Sequence, residues 1–129
     1  MNTAAHQVYR QTQTHTARPG ELVVMLYRGA IRFTAAAVAA LEARDLEGSH
    51  NNLIKAQAII NELSASLKLD VGGEVAVNLA RIYEYLERRL VEANVSKTAE
   101  PAREVEHHLR ELLPAWEQAV RIAASQHAA

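Results

Sequence analysis

Apolar positions recur three and four residues apart in four segments of the chain, the spacing of amphipathic helices. The first segment, about 19–44, is broader than the others. On a wheel of about 100° per residue, Leu22, Met25, Leu26, Gly29, Ala30, Phe33, Ala37 and Ala40 form one stripe. Val23, Tyr27, Ile31, Val38 and Leu41 carry apolar surface further round, leaving charge a narrow ridge at Arg28 and Arg32. A surface helix needs an apolar arc only slightly over ~100° wide, and this one covers roughly twice that. Either its own fold buries it on several sides or a partner chain covers it.

The remaining segments are conventional. Asp45 is a side-chain cap for a second helix at about 46–67, with Leu46, Leu53, Ala56, Ile60, Leu63 and Leu67 inward and Ile59 isolated on the opposite side. Gly72 and Gly73 mark a connector. A third helix, about 74–93, turns Val75, Leu79, Ile82, Leu86, Leu90 and Ala93 inward, with Tyr83 at the stripe's edge and Asn94 as its C-cap. Thr98 caps a fourth, about 99–124, whose stripe is Val105, Leu109, Leu112, Trp116, Ala119, Val120 and Ala123. Pro114 falls inside that stripe and predicts a kink rather than a break, because the apolar phase continues across it. Four such segments on short links describe an all-α, antiparallel four-helix bundle over residues 18–125. Residues 1–17, rich in Thr, Gln, Asn and His with Val8 and Tyr9 as sizeable apolar groups, read as a mobile N-terminal arm.

Composition narrows the function classes. The chain has 129 residues, 49% of them hydrophobic, enough for one domain with a real core. Lys and Arg number 14 against 15 Asp and Glu, so no charge excess draws it to nucleic acid or anionic lipid. The absence of cysteine excludes disulfides and thiol chemistry and fits a reducing compartment. The N-terminus lacks a signal-peptide h-region. No uninterrupted apolar run approaches the ~20 residues that span a bilayer. The expectation is a soluble cytoplasmic protein with no membrane insertion.

Candidate chemistry is thin. Glu47-x-x-His50 and Glu104-x-x-His107 have the spacing of di-iron carboxylate bundles, which need both members inside the core. On the wheel His107 lies roughly 160° from the fourth stripe's centre, and Glu47 and Glu104 are also turned away. No cofactor or metal is expected. His107 and His108 have no nucleophile arranged with them, and there is no glycine-rich phosphate loop. What survives is apolar surplus outside the core stripes: Val23, Tyr27, Ile31, Val38, Ile59 and Tyr85. Such a surplus predicts a groove for another chain's amphipathic helix.

The order of residues resembles the flagellar export chaperones of the FliS family. The resemblance is carried by Thr16-Ala17-Arg18-Pro19-Gly20-Glu21-Leu22 running into Met25-Leu26-Tyr27, and by Asn52-Leu53-Ile54-Lys55-Ala56-Gln57 with Ile60. Tyr83-Glu84-Tyr85-Leu86 into Arg88-Arg89-Leu90-Val91-Glu92-Ala93-Asn94 adds the third stretch; Val105-Glu106 and Ala115-Trp116 match more loosely. Tyr9 falls at the right distance before Tyr27 for the family's N-terminal tyrosine. Arg18 and Gly20 depart from the family's usual Ser cap and Glu, and Pro114 is outside its pattern.

The resemblance implies a non-enzymatic chaperone that binds the disordered C-terminal segment of flagellin, prevents premature polymerisation and delivers it to the flagellar export gate. It also implies an arm, here around Tyr9, that covers part of the site until flagellin arrives. Combined with the apolar surplus, it makes Val23, Tyr27, Ile31 and Ile59 the expected apolar contacts. Asn52, Lys55, Gln57, Arg81, Tyr85, Arg88 and Arg89 are the expected polar positioning residues, with Arg89 alternatively bracing neighbouring helices. Two other readings stay open at this point: a structural homodimer that buries the first helix's second face against itself, and a metal-binding bundle enzyme.

Overall fold

Two short connections fix the direction of the chain. The first helix, α1 (Pro19–Glu42), ends in a Schellman turn: the Asp45 N–H bonds the Ala40 carbonyl at 2.8 Å and the Arg44 N–H that of Leu41 at 3.2 Å. Arg44 takes the left-handed position (φ 61°) usually held by glycine. Asp45 then caps α2 (Leu46–Ala65), its Oδ1 accepting from the Gly48 N–H at 2.9 Å, as its place in the sequence predicts. One residue closes the end of one helix and opens the next.

The computed structural model describes residues 19–67 and 69–128; the arm 1–17, with Tyr9, lies outside them. α3 spans Leu69–Ser96 and α4 spans Glu100–Ala128. α3 is a first turn followed, after Gly73 (φ 61°, ψ −142°), by the long helix expected from Glu74 onward. An added Cβ at Gly73 would meet nothing within 4 Å, so the glycine is required by its backbone angles and not by space. The end of α3 lies beyond Asn94: Lys97 turns left-handed (φ 55°) and its N–H bonds the Ala93 carbonyl at 2.8 Å. Asn94 instead spends its side chain on Lys97 Nζ (2.6 Å) and His50 Nδ1 (3.0 Å), tying α3 to α2. Thr98 does not cap α4; its hydroxyl pairs with Ser96 at 2.7 Å, while the Ala99 carbonyl accepts from Arg103 N–H at 2.9 Å. Helical backbone continues through Pro114. Proline frees the carbonyl four residues back, and both Pro114 and Arg110 are exposed, so water can satisfy it.

The helices form a four-cornered bundle in which α1 packs on α2 and α4, and α3 packs on the same two from the opposite corner. That arrangement explains the breadth of α1. Leu22, Val24, Tyr27, Ala30, Ile31, Ala37, Val38 and Leu41 are all buried within the monomer. By length and composition α1 is apolar enough to cross a membrane, with a mean hydropathy of 1.5 over its best window, and half of that window is buried in the bundle.

Several inward and outward assignments are corrected. Tyr27 and Ile31 are core, 0% and 7% exposed, and Val23 is half-buried against them, so none is an open surplus. Ile59 is not isolated; its Cδ1 lies 3.2 Å from where a Cβ on Gly29 would sit, in the α1–α2 seam. Tyr83 is not at an edge but 1% exposed. Met25, Leu46 and Val75, read as inward, are 59%, 55% and 69% exposed, and Ala119 is exposed as well. The cause is common: the wheel finds the mean apolar direction, and corner packing turns the buried arc towards two neighbours at once.

Across the diagonal, the Tyr27 and Tyr83 hydroxyls bond at 2.7 Å in the buried core, with ring centroids 6.4 Å apart and edge-on. Burial, above all, raises both phenols above their usual range. Trp116 packs against Tyr27 at 6.1 Å. Removing the Tyr27 hydroxyl leaves that of Tyr83 buried and unsatisfied, which costs about 1–3 kcal/mol, whereas Tyr27 without its partner keeps a hydrogen bond to Trp116 and loses less. Urea titrations are therefore expected to show Tyr27→Phe destabilised by about that amount and Tyr83→Phe by less, with the double variant closer to the wild type than their sum.

Candidate binding groove

The α3–α4 seam is closed at one end and open at the other. At the closed end Arg89, its side chain only 15% exposed, reaches from α3 to Glu104 Oε1 at 2.7 Å, with Glu92 at 2.7 Å and Glu100 at 3.3 Å completing its fork. The Tyr85 hydroxyl donates to Glu104 Oε2 at 2.7 Å, and His108 Nε2 lies 3.1 Å from the same oxygen. The Tyr85 hydrogen bond, then those of His108 and Arg89, hold the Glu104 carboxyl below its ordinary 4.5, and the same bond raises the Tyr85 phenol.

One to two turns back towards the start of α3 the helices part. A groove of about 420 Å³ opens there, lined by Arg81, Ile82, Tyr85 and Leu86 from α3 and by His108, Glu111 and Leu112 from α4. Leu86 is fully buried and makes the floor; Ile82 and Leu112 are half-buried and pack on the core. Tyr83, three residues before Leu86 on α3, connects this floor to the central tyrosine pair. A second hollow of about 290 Å³ lies in the α1–α4 seam between Glu21, Val24, Met25, Arg28, Glu117, Val120 and Arg121. An Arg28–Glu117 ion pair at 2.7 Å spans it, so its mouth is already occupied by charge.

The sequence-derived site residues fall into separate groups. Arg81 and Tyr85 line the α3–α4 groove, Arg88 lies over the Tyr85 ring at 6.0 Å, and Arg89 is the clamp, the bracing role read for it as an alternative. Asn52, Lys55, Gln57 and Ile59 are on α2: Asn52 bonds the Gly48 carbonyl at 2.8 Å, and Lys55 Nζ sits 5.4 Å over Phe33. Val23, Tyr27 and Ile31 belong to the interior. Ile82, Leu86, His108, Glu111 and Leu112 were missed as site residues. Ile82, Leu86 and Leu112 carry the same three–four spacing as any core position, His108 has no nucleophile arranged with it, and nothing in the pattern singles out Glu111. The one signal in the sequence was that His108, Glu111 and Leu112 share the edge of a single helix.

Known proteins bear on this geometry. A family model described as flagellar protein FliS matches residues 1–123. The chain is 39% identical over 116 residues to the flagellar secretion chaperone FliS of Bacillus subtilis, covering 90% of this chain and 86% of that one. It is 38% identical over 113 residues to the flagellar secretion chaperone FliS of Salmonella typhimurium (87% and 84%). With the flagellar secretion chaperone FliSB of Pseudomonas aeruginosa it shares 36% over 111 residues (86% and 88%).

A carboxyl whose acidity is increased by folding stabilises the fold above its unfolded pKa, and that contribution is lost as pH falls through the folded value. Glu104→Gln is thus expected to lower the urea midpoint at pH 7. The gap to wild type should narrow as the pH is taken from about 4.5 downward.

Proposed function

Since this chain belongs to the FliS family of flagellar secretion chaperones, we propose that its cargo is the C-terminal segment of flagellin, held in the cytoplasm and delivered to the flagellar export gate. A flagellar secretion chaperone is a binding protein, not an enzyme, and it serves substrates of the flagellar export pathway. The observation that carries the finer reading is the α3–α4 groove, where the half-buried Ile82 and Leu112 present apolar surface above the buried Leu86. An amphipathic helix laid there covers Ile82 and Leu112 with its own apolar stripe. A segment disordered when free loses conformational entropy on binding, and burial of its apolar face offsets that loss.

In this reading Arg81, Tyr85 and Arg88 contact the cargo at the groove, while Val23, Tyr27 and Ile31 act from beneath by holding α1 against its neighbours. A cargo chain long enough to wrap the bundle continues over α2, past Asn52, Lys55, Gln57 and Ile59. Tyr9 and the arm before α1 cover the groove while it is empty, which shields apolar surface from aggregation and lowers apparent affinity by the fraction of time the groove is closed.

Titration calorimetry with a synthetic flagellin C-terminal segment is expected to give a one-to-one complex, with a gain of helical circular dichroism. Trp116, the sole tryptophan, reports the event by a shift in emission. Leu112→Asp should weaken binding at least about tenfold, equivalent to about 1.4 kcal/mol. Leu46→Ser, at an exposed site away from the groove, should leave it unchanged. Absence of heat together with unchanged dichroism refutes the proposal.

A further inference from the structure

The two walls of the groove carry opposite charge. On α3, Arg81 lines the opening and makes no ion pair among the described residues. Arg88, one heptad along, is exposed over the Tyr85 ring. On α4, Glu111 lines the opening and Glu104 stands one heptad before it. Glu104 is consumed by the clamp. Among the described residues Glu111 faces only histidines of its own helix, His107 Nε2 at 3.2 Å and His108 Nδ1 at 3.8 Å. Arg81 and Glu111 thus border one hollow without bridging it, with Ile82, Leu86 and Leu112 between them.

An amphipathic helix seated apolar side down turns one flank to each wall. Reversing its direction exchanges the flanks. We propose that Arg81 and Glu111 set the direction in which a bound helix lies, taking an acidic flank against α3 and a basic flank against α4. The inference rests on the reading that a helix occupies this groove, and it adds what a purely apolar floor lacks. Apolar contacts fix depth and are nearly blind to direction, whereas paired and mispaired charges discriminate. Each exposed pair is worth only a few-fold in affinity, so two correct pairs against two like-charge contacts give a directional preference of roughly tenfold. For a chaperone whose cargo must wrap in one sense, direction is the property to control.

The test uses the full chain and two synthetic 18-residue helical peptides of equal composition. Both carry leucines on one face; glutamates run along one flank and lysines along the other, and the flanks are exchanged in the second peptide. Each bears a dansyl group at its N-terminus. Trp116, one turn beyond Leu112, is the only donor, and an 18-residue helix is about 27 Å long. Energy transfer therefore distinguishes the two directions. Titrated at pH 8 and low salt, the peptides are expected to give one high and one low transfer efficiency. The Arg81→Glu/Glu111→Lys variant should exchange them, and raised salt should bring them together. Arg81→Gln and Glu111→Gln, milder changes at exposed sites, should each shrink the difference. Equal transfer from both peptides, or an order unchanged in the charge-reversed variant that still binds, overturns the proposal. Failure of both peptides to bind also overturns it. Whether the flagellin segment still binds in parallel then shows separately if the functional reading stands.

Discussion

A single helix serving two seams is the constraint from which the rest of the bundle follows. α1 has to satisfy α2 on one side and α4 on the other, and its small residues let both approach closely: Gly29 admits Ile59, and the N-terminal Gly20 lies 3.1 Å, measured from a hypothetical Cβ, from Val120. Its large polar intrusion into the interior, Tyr27, is partnered across the diagonal by Tyr83 and is also hydrogen-bonded to Trp116 on α4. That hydroxyl pair is expensive to misplace, because either phenol left alone in the core loses a hydrogen bond and keeps its desolvation penalty. It therefore locks the register of α3 relative to α1 even though the two helices are not neighbours. α3 is positioned from behind, and its contact with α4 is what remains.

That remainder explains why the α3–α4 seam divides. Where α3 nears its end, Arg89 spreads three polar contacts over Glu92, Glu100 and Glu104, and the planar guanidinium fork suits this task better than a lysine would. Further back there is no equivalent cross-link among the described residues, and the seam is left with Leu86 as floor and half-exposed Ile82 and Leu112 as sides. A clamp at one end and a fixed floor keep the groove from collapsing. Closing it would require α3 to tilt about Arg89, pulling Tyr83 away from Tyr27.

Much of this was legible in the sequence, and the failures have a physical pattern. The four-helix class follows from apolar period, and the Asp45 cap from the chemistry of its side chain. The helix ends at Arg44 and Lys97 were hard to read because each puts a long basic residue in a left-handed position that a glycine signal would have announced. The breadth of α1 was legible as a fact but not in its cause. Tyr27 and Ile31 look like surplus on an isolated wheel and become core once a second neighbour is known. Conversely, Ile82 and Leu112 look like core and are left half open because their own neighbours stand apart. Periodicity tells which residues avoid water; only packing tells which of them succeed.

The same logic bears on how a chaperone can be both stable and greedy for a partner. Apolar surface that is exposed because a fold is loose invites aggregation and collapses readily. Here the half-exposed Ile82 and Leu112 lie on a fully buried layer, since Leu86 beneath them belongs to the same core cluster as Tyr83, Leu53 and Leu109. Binding a chain therefore adds a layer to a structure already in place, and the entropy cost falls on the cargo rather than on the bundle. A hollow of about 420 Å³ accepts only a few side chains. On the proposed reading, high affinity comes from length, through weak contacts distributed along a wrapped segment, and contacts of that kind can be released one after another when the cargo is pulled away. A deep single pocket would hold as tightly but would have to let go all at once.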